Sequence, residues 1–197
     1  MRVTIKIITL SLIVFLTATS ANAWWPIFYE PEFNGQILDI DTKEPVAGAV
    51  VVVEYIKVAM GVGAGQVSSI IGVQETLTDK NGKFRIPSYT TLVQPLFTWK
   101  GDSVFLVFKP GYANINGLAL KNYFTGEEEK EAEGSWPGPE FKGLKYRLRR
   151  GIVELPKLKT REQRWHASII GVSGYTAKDL PLFYKARDEE DKALSTR

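Results

Sequence analysis

The stretch FNGQILDIDTKEPVAGAVVVVE, Phe33 to Glu54, decides the fold class. Gln36 to Ile40 reads as a short strand, with Ile37 and Asp39 on one side and Leu38 and Ile40 on the other. Asp41-Thr42-Lys43-Glu44-Pro45 is turn chemistry: Asp41 and Thr42 bond the backbone locally, and Pro45 fixes φ where the chain reverses. Gly48 permits a close backbone approach. Ala49 to Tyr55 is then a strand, and its β-branched run Val50 to Val53 suits burial on both faces.

Further along, Glu75 to Thr78 and Lys83 to Ile86 flank Asp79-Lys80-Asn81-Gly82, and the alternation on both sides of an Asn-Gly predicts a hairpin. Val104 to Phe108 is a second wholly apolar strand, closed by the turn Lys109-Pro110-Gly111-Tyr112. Thr90 to Trp99, which carries Pro95, supplies a short edge strand or a loop. Leu144 to Leu155 returns to strand, with Tyr146, Leu148, Ile152 and Val153 facing inward and Arg147, Arg149 and Arg150 as a basic patch that snorkels.

Two connections stand outside this pattern. The segment 57–74, with Gly61, Gly63 and Gly65, reads as a mobile apolar loop between strands. It lacks the strand-to-helix context and the Lys-Ser/Thr pair that a phosphate loop needs. The segment 122–143 reads as an insertion, with a solvated acidic run at Glu127 to Glu133 and an irregular Trp136-Pro137-Gly138-Pro139. After Pro156 the composition turns helical, over Lys159 to Ala167 and Ala177 to Leu194. Asp179 is placed to cap the second helix ahead of Pro181, Leu180, Phe183, Tyr184 and Arg187 share a face, and the last eleven residues are expected to fray.

Residues 1–23 have the form of a secretory signal peptide: Arg2 and Lys6, the apolar Ile7 to Leu16, then Ala21-Asn22-Ala23 as the cleavage pattern. About ten strongly apolar residues fall short of the roughly 20 that span a bilayer. The expected product is periplasmic or secreted, with no transmembrane segment after cleavage near Ala23. It would open on Trp24-Trp25-Pro26-Ile27-Phe28-Tyr29, either a sticky segment for a partner or membrane surface or, as preferred here, an arm packed across the sandwich. The absence of cysteine excludes disulfides, thiol catalysis and lipoprotein attachment, so core burial alone must hold the fold. Charge is nearly balanced, 25 basic against 22 acidic residues, which gives no field to steer nucleic acid.

The order of these motifs resembles the carboxypeptidase regulatory-like family, whose modules share a transthyretin-like β-sandwich. The resemblance rests on Gly35, Ile37, Asp39, Pro45, Val46, Gly48, Ala49 and Val50 to Val53, then Thr76, Thr78, Asp79, Gly82 and Phe84, then Lys109, Pro110, Gly111 and Tyr112. It implies an all-β, seven-stranded sandwich over 24–156, with insertions at 57–74 and 122–143 and a short helical extension over 157–197. The matched residues are turn and core positions, so no catalytic residue carries over. Such modules accompany a peptidase, an outer-membrane receptor or a surface protein. Two enzyme groups on related sandwiches, 5-hydroxyisourate hydrolases and intradiol dioxygenases, need histidine sets that one histidine cannot make.

A Ser-His-Asp triad would need that same His166, which stands beside Trp165 in a helical stretch and is read as structural or surface, and no Gly-x-Ser-x-Gly elbow accompanies it. Asp79-x-Asn81 begins like a calcium loop, but the twelfth position is Thr90, so no metal and no other cofactor is expected. The expected function is a non-enzymatic exported module that binds or scaffolds another cell-envelope protein. A carbohydrate-binding module is the alternative, with Trp99, Trp136 and Trp165 as ligand-binding candidates. A carboxylate-dependent hydrolase would require Asp39, Asp41 and Glu54 to converge.

Overall fold

Val50 to Val53 lie at the centre of the molecule, each at most 1% exposed, because two different layers cover the two faces of their strand. The computed structural model describes residues 27–61, 63, 65–93, 98–119, 130–133 and 144–196. Among these, the strands are β1 (Ile27–Glu30), β2 (Phe33–Asp39), β3 (Val50–Gly61), β4 (Gly65–Leu77), β5 (Lys83–Ile86), β6 (Tyr89–Leu92), β7 (Thr98–Lys100), β8 (Val104–Phe108), β9 (Ile115–Ala119), β10 (Lys130–Glu133), β11 (Lys145–Arg149) and β12 (Ile152–Leu155). Two helices follow, α1 (Arg161–Ser168) and α2 (Pro181–Ser195). The chain is mostly β.

One sheet runs β10-β11-β12-β2-β5, with β12 parallel to β2 and the other pairs antiparallel. A second runs β4-β3-β8-β9, with β7 also paired to β3, and β1 and β6 pair in a separate two-stranded antiparallel ribbon. Period-2 alternation sends Ile37, Phe84, Leu148, Val153 and Leu155 of the first sheet against Val51, Val53, Tyr55, Phe105 and Val107 of the second, forming one shared core. The outward residues of β3 and β8, Val50, Val52, Leu106 and Phe108, meet Ile170, Val172, Leu180, Phe183 and Ala186 instead. The helical tail therefore docks on the sandwich and forms its third layer. Burying an apolar side chain of this size contributes roughly 1.5–3 kcal/mol, so this layer is integral to the fold.

Several expectations need correction. The segment 57–74 is not a loop: β3 and β4 form a long antiparallel hairpin, paired from Val50↔Leu77 to Gly61↔Gly65 with one irregularity beside Tyr55 and Ile56. Its β-branched residues favour strand, and Gly63 and Gly65, at φ 76° and 75°, supply the reversal. The 75–86 segment is a turn but not a hairpin, since β4 pairs with β3 while β5 pairs with β2 in the opposite sheet. Asp79 Oδ1 accepts from the amides of Asn81 and Lys83, both at 2.8 Å, and so fixes a crossover between layers.

Within 122–143, residues Lys130–Glu133 form an edge strand beside β11, and the rest of that segment lies outside the described residues. On β12 the inward residues are Val153 and Leu155, while Ile152 is only half-buried. The end of the chain is not frayed: α2 runs to Ser195, and Glu190 and Leu194 are buried. The arm at 27–30 splits by alternation, with Phe28 in the core against Tyr55 and Tyr89, and Ile27 and Tyr29 exposed. Trp24 and Trp25 lie outside the described residues.

Candidate functional site

The tail presents a large open groove, and its walls are set by capping. Thr160 starts α1 with a capping box: its Oγ1 accepts from the Gln163 amide at 3.1 Å, and Gln163 Oε1 accepts from the Thr160 amide at 3.2 Å. Buried Asn114 donates to the Ala167 carbonyl at 2.7 Å and pins the far end of α1 to the sandwich. Pro181 opens α2, but Asp179 does not cap it. Asp179 Oδ2 accepts from the Thr176 amide and hydroxyl, both at 2.9 Å, and closes the preceding turn. The N-cap residue Leu180 makes no side-chain cap bond. Glu75, from β4, does the capping across the layer interface, with Oε1 accepting from the Leu182 amide and Oε2 from the Phe183 amide.

The two helices are clamped by Arg164, whose Nε and a terminal nitrogen each donate to Glu190 at 2.7 Å. Glu190 is 2% exposed, and its Oε1 also accepts from the Gly111 amide at 3.3 Å. Hydrogen bonding to this carboxylate pushes the Arg164 guanidinium further up. Arg161 donates to the Leu194 carbonyl, and Arg187 donates to the Ile170 carbonyl at 3.2 Å while stacking 4.7 Å over the Tyr184 ring.

Between the helices lies an open groove of about 830 Å³, lined by Arg161, Glu162, Trp165, Ile169, Arg187, Asp191 and Leu194, together with Ser168 and Ser195. Trp165 is 52% exposed and Ile169 62% exposed, so a ligand here would meet an aromatic ring and aliphatic surface edged by both signs of charge. That chemistry holds a peptide or protein side chain or stacks a sugar. His166, half-buried on α1, sits edge-on to the Trp165 ring with centroids 4.8 Å apart.

The three tryptophan candidates do not form one platform. Trp165 is in the groove, Trp99 is on β7 opposite Val58, and Trp136 lies outside the described residues. The groove sits near the Val50 end of β3, since Glu190 contacts Gly111 just beyond Phe108, which faces Val50. From Val50 to Val58 is eight strand steps, about 26 Å.

The carboxylates do not converge either. Asp39 is buried at the end of β2, where Oδ1 accepts from the Asp41 and Thr42 amides at 2.9 and 3.0 Å. Its Oδ2 accepts from the Tyr112 hydroxyl at 3.1 Å and pairs with Lys157 at 3.3 Å. Asp41 is exposed in the turn, and Glu54 is on the opposite sheet, in line with outward-facing Val50 and Val52. Burial pushes the Glu54 carboxyl up. Among the described residues no group of three or more His, Asp or Glu could hold a metal ion, and no helix is long and apolar enough to cross a membrane.

The sequence reading missed Glu75 and Glu190, the two acids that dock the tail. The only local signal was Pro181 at a helix start without a capping side chain. No protein-family model matches the chain, and no curated protein matches it.

Proposed function

We propose that the chain is a non-enzymatic, exported module that binds or scaffolds another protein of the cell envelope, and that the partner sits in the groove between α1 and α2. The observation that carries this reading is the half-exposed Trp165 beside Ile169 in a groove whose walls are fixed by Arg164, Glu190 and Glu75. A rigid aromatic anchor with a charged rim is the usual make-up of a protein-binding hot spot. The ordered turns at 35–49, 76–84 and 109–112 support a carboxypeptidase regulatory-like module of the seven-stranded transthyretin-like type, and residues 1–23 support export with cleavage near Ala23 into the periplasm or beyond.

A photocrosslinking residue at Ile169, in the full chain within its native envelope, tests the reading. The expected result is one discrete protein adduct that disappears with Trp165→Ala. No adduct, or one indifferent to Trp165→Ala, counts against it. A second reading, carbohydrate binding, is favoured by the same ring with Glu162 and Asp191 nearby, since sugars stack on a tryptophan and bond carboxylates. Glycan-array binding that Trp165→Ala abolishes would move the assignment from protein to sugar.

A further inference from the structure

At the other end of the molecule the exposed apolar side chains gather. Of the nine large ones exposed among the described residues, six belong there: Ile27, Tyr29, Met60, Val67, Leu92 and Trp99. Three pairings bring them together. Ile27 faces Leu92 across β1 and β6, Trp99 faces Val58 across β7 and β3, and Ala59 faces Val67 across β3 and β4. Lys100 ties these pieces to one another, donating to the Tyr29 carbonyl at 3.1 Å and pairing with Glu30 at 2.9 Å.

The β3–β4 hairpin tip carries apolar side chains on both faces and no charge, with the polar Gln66 and Ser68 opposite Met60 and Val58. Strand alternation puts Val58 and Met60 on one side, with Trp99, and Ala59 and Val67 on the other. From Val58 to Gln74 the sequence holds no charged residue and no proline, although exposed strand edges normally carry one or the other. A flat protein surface would cover one side of such a wedge. A lipid layer surrounds both.

The dimensions agree. From Lys57 to Gly61 is four strand steps, roughly 13 Å. That carries the tip into the headgroup–acyl boundary and cannot cross roughly 30 Å of hydrocarbon. β4 is an edge strand, so backbone groups facing away from β3 would stay unsatisfied in hydrocarbon and keep the insertion shallow. Trp99 sits at the depth where tryptophans collect at membrane interfaces, next to Lys57 and Lys100 at the base. Glu30 and Asp102 lie beside those lysines in the structure or chain, so charge is near balance and apolar burial is the driving term.

We propose that this end is a membrane-facing surface, with the β3–β4 tip seated in the interfacial layer of a lipid bilayer and the helical groove turned away from it. The proposal does not depend on what occupies that groove.

The lack of cysteine makes a direct test simple. The full chain, carrying Met60→Cys, Val67→Cys or, at an exposed position of α2, Lys185→Cys, is labelled with an environment-sensitive fluorophore and mixed with phosphatidylcholine vesicles, with and without phosphatidylglycerol. The expected result is a blue shift at positions 60 and 67 with both lipid compositions, quenched by spin-labelled acyl chains, and no change at 185. Aqueous emission at 60 and 67 overturns the proposal. An equal response at 185 also overturns it, because the N-terminal segment would then be tethering the chain without orienting it. A blue shift without vesicles that grows with protein concentration assigns the tip to a second copy of the chain instead.

Discussion

Glu75 on β4 caps the first turn of α2 at Phe183, its carboxylate accepting the Phe183 amide at 2.9 Å while its other oxygen takes the Leu182 amide at 2.7 Å. A negative charge on two free amides at the positive end of a helix is doubly favourable. Glu75→Ala should therefore destabilise the protein by about 1–2 kcal/mol, with Glu75→Gln intermediate because the amide keeps one acceptor. Urea unfolding followed by circular dichroism checks this. Equal loss for both substitutions would mean that the charge contributes nothing.

Arg164 and Glu190 make the second bond that holds the tail, and here burial sets the magnitude. Arg164→Ala leaves the Glu190 carboxylate buried with the Gly111 amide as its remaining donor, a loss expected to cost about 3 kcal/mol. Arg164→Ala combined with Glu190→Leu removes the stranded charge and should recover most of that loss. A double-mutant cycle on unfolding midpoints reads it directly, and additive losses would contradict the pairing.

How much of this was legible in the sequence depended on range. Val50 to Val53 announced burial on both faces by composition, and the Lys109–Tyr112 turn announced itself through Pro110 and Gly111. In the structure the Tyr112 amide indeed donates to the Lys109 carbonyl at 3.0 Å. The Asp79–Gly82 turn was equally readable, but turn chemistry is local and cannot say which sheet each arm joins. A crossover between layers and a hairpin share the same alternation. In 57–74 the glycines have loop character, but the β-branched residues around them carry the strands β3 and β4. Glu75 and Glu190 look like ordinary surface acids because their partners lie 107 and 26 residues away in the chain. Trp165 could be singled out from composition, but the groove around it depends on how α1 and α2 pack.

Asp39 gives the fold a defined response to acid. Burial opposes its charge, but the Thr42 and Asp41 amides, the Lys157 ammonium and the Tyr112 hydroxyl outweigh that and hold its carboxyl below the usual range. A group whose folded pKa is depressed contributes stability above its unfolded pKa, near 3.9, and loses that contribution as the pH falls through the folded value. Asp39→Asn should cost about 2 kcal/mol at neutral pH. The gap between variant and parent should then narrow below about pH 4 as Asp39 itself protonates. Thermal melts across the acid limb test this, and a gap constant down to the lowest pH would exclude Asp39 as the titrating group.

Gly82 and Gly63 separate two reasons for glycine at positive φ. Both are left-handed, at φ 71° and 76°, so alanine is strained at either, by about 1 kcal/mol. At Gly63 a new Cβ would meet nothing within 4 Å, and that strain should be the whole effect. At Gly82 the Cβ would lie 2.4 Å from the Ile37 carbonyl oxygen and 3.2 Å from the Val46 amide nitrogen, both backbone. The Gly82 carbonyl also accepts from the Ile37 amide at 2.8 Å, so the turn cannot back away without breaking a bond that ties the crossover to β2. Gly82→Ala should thus cost at least about 2–3 kcal/mol more than Gly63→Ala, the strain plus a lost buried hydrogen bond and displaced strand. Denaturant titration of the two variants side by side measures the difference. Equal losses would show that only backbone conformation matters at Gly82, and that the close approach of the turn to β2 does not help fix how the two sheets join.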